Sequence, residues 1–227
     1  MHYLLAAGGS ITINLGNGAS KPSSSLLIIL ALALLTLAPS ILILLTGFAR
    51  VVIVLSLTRQ ALGLTTTPPN QVLIGVALFI SLLLMAPTLS TLNHVALQPY
   101  LHGTLNAVQA FDRGQRPLKQ WMLAQTGRQE LSLTAKVAHQ STLHPMGDSL
   151  TTIIPAFLLT QLKDAFIIGF VIFVPFLIID LVVASTLMSM GIVMLPPTLV
   201  SLPFKLLLFV LVDGWVLVVQ SLITSFK

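Results

Sequence analysis

The feature that constrains this chain most is a stretch of 32 residues, Leu26 to Leu57, in which Arg50 is the only charge. A helix perpendicular to a bilayer needs about 20 apolar residues to cross the hydrocarbon. The stretch therefore predicts one long, tilted or kinked helix, or two pieces, with the kink at Pro39 and Ser40, where proline removes a backbone hydrogen bond and crowds the preceding turn. A second apolar run, Val72 to Leu89, has no charge and is long enough to span. Only 7% of the chain is charged and 56% is hydrophobic, whereas an ordinary globular domain is about a quarter charged. That leaves too little polar surface to coat a water-soluble fold, so the expected class is all-α and membrane-embedded.

Other classes are excluded by what is missing. Without cysteine there are no disulfides, thiolate metal sites or cysteine nucleophiles. The net charge of +5 comes from 11 basic residues scattered from Lys21 to Lys227. A nucleic-acid binder concentrates such charge on one face, so no nucleic-acid partner is expected. The histidines His94, His102, His139 and His144, with Asp148, suggest a metal, but no two of these histidines are three or four residues apart, as ligands on one helical face require. Neither an H-E-x-x-H nor a G-x-S-x-G motif occurs. The reading is no enzyme, no metal and no cofactor.

Four regions follow from the pattern. Residues 1–25 are polar and lack the basic start and small-residue cleavage site of a secretory signal; they read as an external N-terminal segment, or as a start left by processing. Residues 26–89 form a first helical hairpin region, whose polar connection from Thr58 to Gln71 contains Gly63, Pro68 and Pro69, so no helix is expected through it. Residues 90–152 hold eight of the 17 charges and read as a water-facing insertion with short helices such as Pro117 to Gln125. Residues 153–227 alternate apolar runs with charges at Lys163, Asp164, Asp180, Lys205 and Asp213. A charge inside a membrane costs about 2.5–3.5 kcal/mol, so these groups should face protein or a water-filled lumen. Arg50 and Arg59 read as markers of a helix end against headgroups or a neighbouring subunit, and Trp121 and Trp215 as interface anchors.

In the last region, Gly191, Pro196 and Pro197 predict a turn near residues 192–197, which makes Asp180 and Lys205 equidistant from the tip of a hairpin. They are expected to pair, within or between subunits; the alternative is a lysine that snorkels to an interface. The tip, near 188–197, carries Met188, Met190 and Met194. Flexible, polarizable methionine closes around surfaces of varied shape, and a ring of such tips would exclude water and ions by dewetting. Taken alone, a few methionines in an apolar run are more often ordinary core packing.

Four stretches resemble the FliP family of flagellar export-gate proteins and their virulence-system relatives: "RVVIVLSLTRQALGLTTTPPNQVLIGVALF", "LLTQLKDAFIIGFVIFVPFLIIDLVVAS", "MGIVMLPP" and "LPFKLLLFVLVDGWVLVVQSL". The piece "RGQRPLKQWMLAQT" and the turn motif Pro68, Pro69, Asn70 and Gln71 are similar to the flagellar branch rather than the virulence branch. The resemblance implies helical hairpins that assemble, with copies of the chain (five by the family's pattern) and with Q and R subunits, into a closed cone through which unfolded flagellar proteins pass. It implies a bacterial inner-membrane location in the flagellar basal body, in contact with lipid but with much of the assembly on the external side. It also places a hydrophobic gasket at Ile192, Val193 and Met194. The family's usual run of methionines is broken here by Ile192 and Val193, and its usual acidic residue is Gln161 in this chain. An equivalent virulence subunit and a small-solute channel or transporter are the alternatives.

Overall fold

In a computed structural model the described residues, 28–29, 32–33, 35–36, 40, 43–139, 147, 149–192 and 194–226, are helical or lie in turns, with no strand among them. The expected kink at Pro39 and the gasket residue Val193 lie outside them, as do His144, Asp148 and the whole of segment 1–25. The chain divides into residues 1–39 and 40–227. In the first unit the described positions are helical, with Thr36 donating to the carbonyl of Ala33 at 2.8 Å.

Beyond the helical positions 40 and 43–45, the second unit is built from seven helices among its described residues. Helix α1 spans Phe48–Ala61. It ends where the Gly63 and Leu64 amides donate back to the carbonyls of Gln60 and Arg59, at 2.9 and 3.2 Å, the pattern by which a left-handed glycine closes a helix. Helix α2, Asn70–Leu92, continues through a π turn, Asn93–Leu97, to Leu101. It therefore runs well past the apolar segment Val72 to Leu89 and carries the spanning element into the expected insertion. Pro87 lies inside it without ending it.

The insertion folds into α3, Ala107–Ala124, and α4, Arg128–Val137. Asn106 starts α3 with a reciprocal cap: its side chain accepts from the Gln109 amide at 2.8 Å and its amide donates to the Gln109 side chain at 3.1 Å. This cap satisfies two otherwise orphaned amides, and the helix runs through Pro117 rather than starting there.

Helix α5 follows. The charges and prolines after Ile153 do not divide it: Leu150–Ser189 is a single helix of 40 residues, with Pro155 and Pro175 inside. A proline forfeits one amide donor, which a membrane helix tolerates when neighbours compensate. Helix α6, Pro197–Leu211, returns from the tip. Helix α7, Gly214–Thr224, follows after a bend of 64°, made at Asp213, whose backbone is left-handed with φ of 51°.

The core lies where α1 meets the middle of α5, with α2, α6 and α7 around it. Val51, Val54, Leu55, Ala61, Leu73, Ala77, Ala165, Phe176, Phe209 and Leu222 are buried there. Close approach depends on Gly169, where an added methyl group would run into the Leu57 side chain. A smaller cluster of Met122, Ile153 and Phe157 joins the insertion to the start of α5. Trp121 packs its ring 5.3 Å from that of Phe157, and Trp215 stands edge-on to Phe209 at 5.3 Å. Both tryptophans thus touch aromatic partners inside the chain.

Among the described residues, two helices, Asn70–Leu101 and Leu150–Ser189, are long and apolar enough to cross a membrane; α6 and α7 together form a third if the bent pair counts as one span.

Candidate functional site

The end of α5 is shaped by its last turn. The amides of Gly191 and Ile192 donate to the carbonyls of Met188 and Leu187, both at 3.0 Å, and Gly191 adopts φ of +73°. A side chain at that φ would be strained, so glycine stops the helix there. Pro197 begins α6 at the position where a missing amide costs nothing. Between these stops the chain reverses in a few residues.

The tip that results is apolar and open. Met188, Met190, Met194 and Leu195 are exposed, whereas Ile192 is half-buried and its amide is bonded back to the helix. Met194 and Leu195 are the projecting part of the turn, and Ile192 belongs to its scaffold. The exposure of Leu195 was not anticipated, although its place between Met194 and Pro196 was a usable signal.

Beneath the tip the two arms are clamped. Lys205 Nζ lies 2.6 Å from Asp180 Oδ2, and the Ser201 hydroxyl donates to Asp180 Oδ1. Lys205 also donates to the carbonyl of Ala61 at 3.2 Å. That carbonyl ends α1, where the helix dipole favours a cation. Lys205 and Ser201 are buried. Nine residues of α5 separate Asp180 from Ser189 and eight of α6 separate Pro197 from Lys205. At about 1.5 Å per residue the two charges reach similar heights on the arms. The pairing lies within one chain.

The other charges singled out in the sequence do not join this clamp; Arg50, Lys163 and Asp164 make a second seam. Arg50 is buried; its Nη1 donates to the Ser225 carbonyl and hydroxyl at 2.9 and 3.1 Å, and its Nη2 to Asp164 at 2.8 Å. Its guanidinium also lies 4.2 Å from the centre of the Phe226 ring. Arg50 is thus an internal fastener of α1, α5 and the chain's end, rather than a headgroup marker. Lys163 bridges to Glu130 of α4 at 2.9 Å, and this hydrogen bond holds the Glu130 carboxyl below its ordinary range. Arg59 donates to the Pro68 carbonyl and the Asn70 side chain at 3.0 and 2.7 Å. It holds the Pro68, Pro69, Asn70 turn against α1, while Gln71 is exposed at the start of α2. Asp213 is exposed at the bend.

Gln161 is fully buried beside the second seam, with its amide nitrogen 3.5 Å from the Gln125 carbonyl and its oxygen unpartnered. A neutral amide suits a position with so little solvent better than a carboxylate would. Among the described residues, no group of three or more histidine, aspartate or glutamate side chains is placed to hold a metal. The chemistry on offer is mechanical: a clamped hairpin presenting an apolar end.

Comparison with known proteins follows the same outline. Residues 31–222 match the model of the FliP family. The chain is 50% identical over 205 residues to the flagellar biosynthetic protein FliP of Bacillus subtilis (strain 168), covering 90% of this chain and 93% of that protein. It is 45% identical over 222 residues to the protein of that name from Caulobacter vibrioides, covering 97% and 84%. The Aquifex aeolicus protein is 46% identical over 220 residues, covering 96% and 91%.

Proposed function

This chain belongs to the FliP family, and from that premise we propose that it is a core subunit of the flagellar protein export gate, whose hairpin tip seals the channel. The observation that carries this reading is the length of α5. Forty residues make a helix of about 60 Å, twice the roughly 30 Å of bilayer hydrocarbon. Only 11% of its most apolar window is buried within the chain. Lipid can cover about half of that surface, and protein has to cover the rest.

Copies of the same chain and the smaller Q and R subunits are the covering partners in this proposal. Such an assembly stands partly above the inner membrane on its external side, within the flagellar basal body. Short spans covered by neighbours then need not match bilayer thickness. The clamp sets each tip at a fixed height, so that Met188, Met190, Met194 and Leu195 of several copies, with Ile192 and Val193 at the turn, meet around an axis. An apolar ring excludes water and ions by dewetting, and flexible thioethers yield to a passing unfolded chain. No catalytic step is assigned to any residue.

The test replaces Ile192, Val193 and Met194 together by glycine in the assembled complex. Ion flux across the membrane should rise while the complex still purifies intact. A tight, secretion-competent gate carrying that replacement would remove the sealing role.

A further inference from the structure

Of the five methionines among the described residues, the two away from the tip, Met85 and Met122, are buried, whereas Met194, Met188 and Met190 are 97%, 70% and 67% exposed. Oxidation of thioethers follows exposure. Among the described residues, the sulfur atoms exposed in the single chain are thus concentrated on the one surface that, in the proposed assembly, borders the channel.

We propose that Met188, Met190 and Met194 are an oxidative modification site, and that converting them to sulfoxides with a peroxide opens the seal. The inference rests on the reading of the tip as a stopper. In the reaction a sulfur lone pair attacks one oxygen of hydrogen peroxide; the S–O bond forms as the O–O bond breaks. Sulfur loses two electrons, peroxide gains them, and the departing hydroxide takes up a proton to leave as water. The product carries a strong S–O dipole in place of a polarizable apolar atom. A ring of copies multiplies that change at its narrowest point, and a polar constriction wets where an apolar one stays dry. Leu195, Ile192 and Val193 have no sulfur to oxidise, so the methionines carry the whole response. Enzymatic reduction returns the thioether, which makes the opening reversible.

The experiment uses the complex co-produced with its partner subunits and embedded in phospholipid vesicles. Ion flux is measured before and after hydrogen peroxide, and the oxidised residues are located by peptide mass spectrometry. The tip methionines should gain oxygen before Met85 and Met122, with a severalfold rise in flux that the two stereospecific methionine sulfoxide reductases reverse. A Met188→Leu, Met190→Leu, Met194→Leu variant, compared with its own untreated flux, should show no peroxide-dependent rise. Oxidation of Met85 or Met122 first, a rise that persists in the leucine variant, or a rise that the reductases leave in place would each overturn the proposal. If the tip is oxidised without added flux although the glycine replacement leaks, the stopper stands and the oxidative opening falls. If neither treatment leaks, the stopper reading fails and takes this inference with it.

Discussion

Asp180 and Lys205 are separated by 25 positions in sequence and 2.6 Å in space, and removing either leaves a charge with lost partners in an apolar surround. Lys205→Ala strips Asp180 of its cation, and Asp180→Ala leaves Lys205 with the Ala61 carbonyl alone; each should cost about 3–5 kcal/mol. Complex yield and thermal stability in detergent are the readouts. The exchange Asp180→Lys with Lys205→Asp should recover part of the loss, less the contacts with Ser201 and the α1 carbonyl; no recovery at all would argue against direct pairing. The bridge between Lys163 and Glu130 behaves differently because its lysine side chain is half-exposed. Its hydrogen bond lowers the folded Glu130 pKa below the ordinary 4.5. The stabilisation is therefore complete above the ordinary value and disappears as pH falls through the lowered one. Glu130→Gln should lower the melting temperature slightly at neutral pH and make no difference in strong acid; a deficit that persists in strong acid would mean the bridge is not its source. These residues also show what sequence alone can reach. The Asp180 and Lys205 pair is legible because a turn marked by glycine and two prolines lies midway between them. The partners of Arg50 are not, because Ser225 lies 175 positions away and Asp164 lies 114 away, and no local pattern connects them.

The elements were legible to different degrees for physical reasons. Apolar length identifies α2 and α5 as helices, and the stops at Gly63 and Gly191 follow from glycine's freedom at positive φ. The continuity of α5 was hidden because its charges look like interruptions. Asp164, Lys163 and Asp180 each have a partner on another element, so the helix can carry them. The contact of α1 with α5 depends on a missing side chain and was equally invisible. Gly169→Leu should drive a branched side chain into Leu57 and cost about 1–3 kcal/mol. Gly75 of α2 has nothing within 4 Å of an added methyl group, so Gly75→Ala should stabilise by about 0.5–1 kcal/mol through reduced backbone entropy. Melting the two variants in detergent checks both signs, and equal shifts would mean that helix propensity rather than packing governs these helices.

At the scale of the molecule, the exposed apolar surface is the dominant fact. Phe166, Phe170, Val171, Leu181 and Val182 on α5, together with Val210 and Leu211 on α6 and Val216 on α7, are exposed in the single chain. Membrane proteins do not gain by hiding such groups from lipid, since hydrocarbon is as apolar as they are. The length of α5 is what requires protein neighbours, and the hairpin tip is where those neighbours should converge. The chain contains no cysteine, so a single Met194→Cys replacement creates one unambiguous reporter. The account predicts that, in the complex assembled in native membranes, copies carrying this cysteine become covalently linked to one another by mild oxidation or a short thiol cross-linker, whereas copies carrying Phe170→Cys on the open face of α5 are linked far less. An intact complex in which Met194→Cys never joins one copy to the next would contradict it.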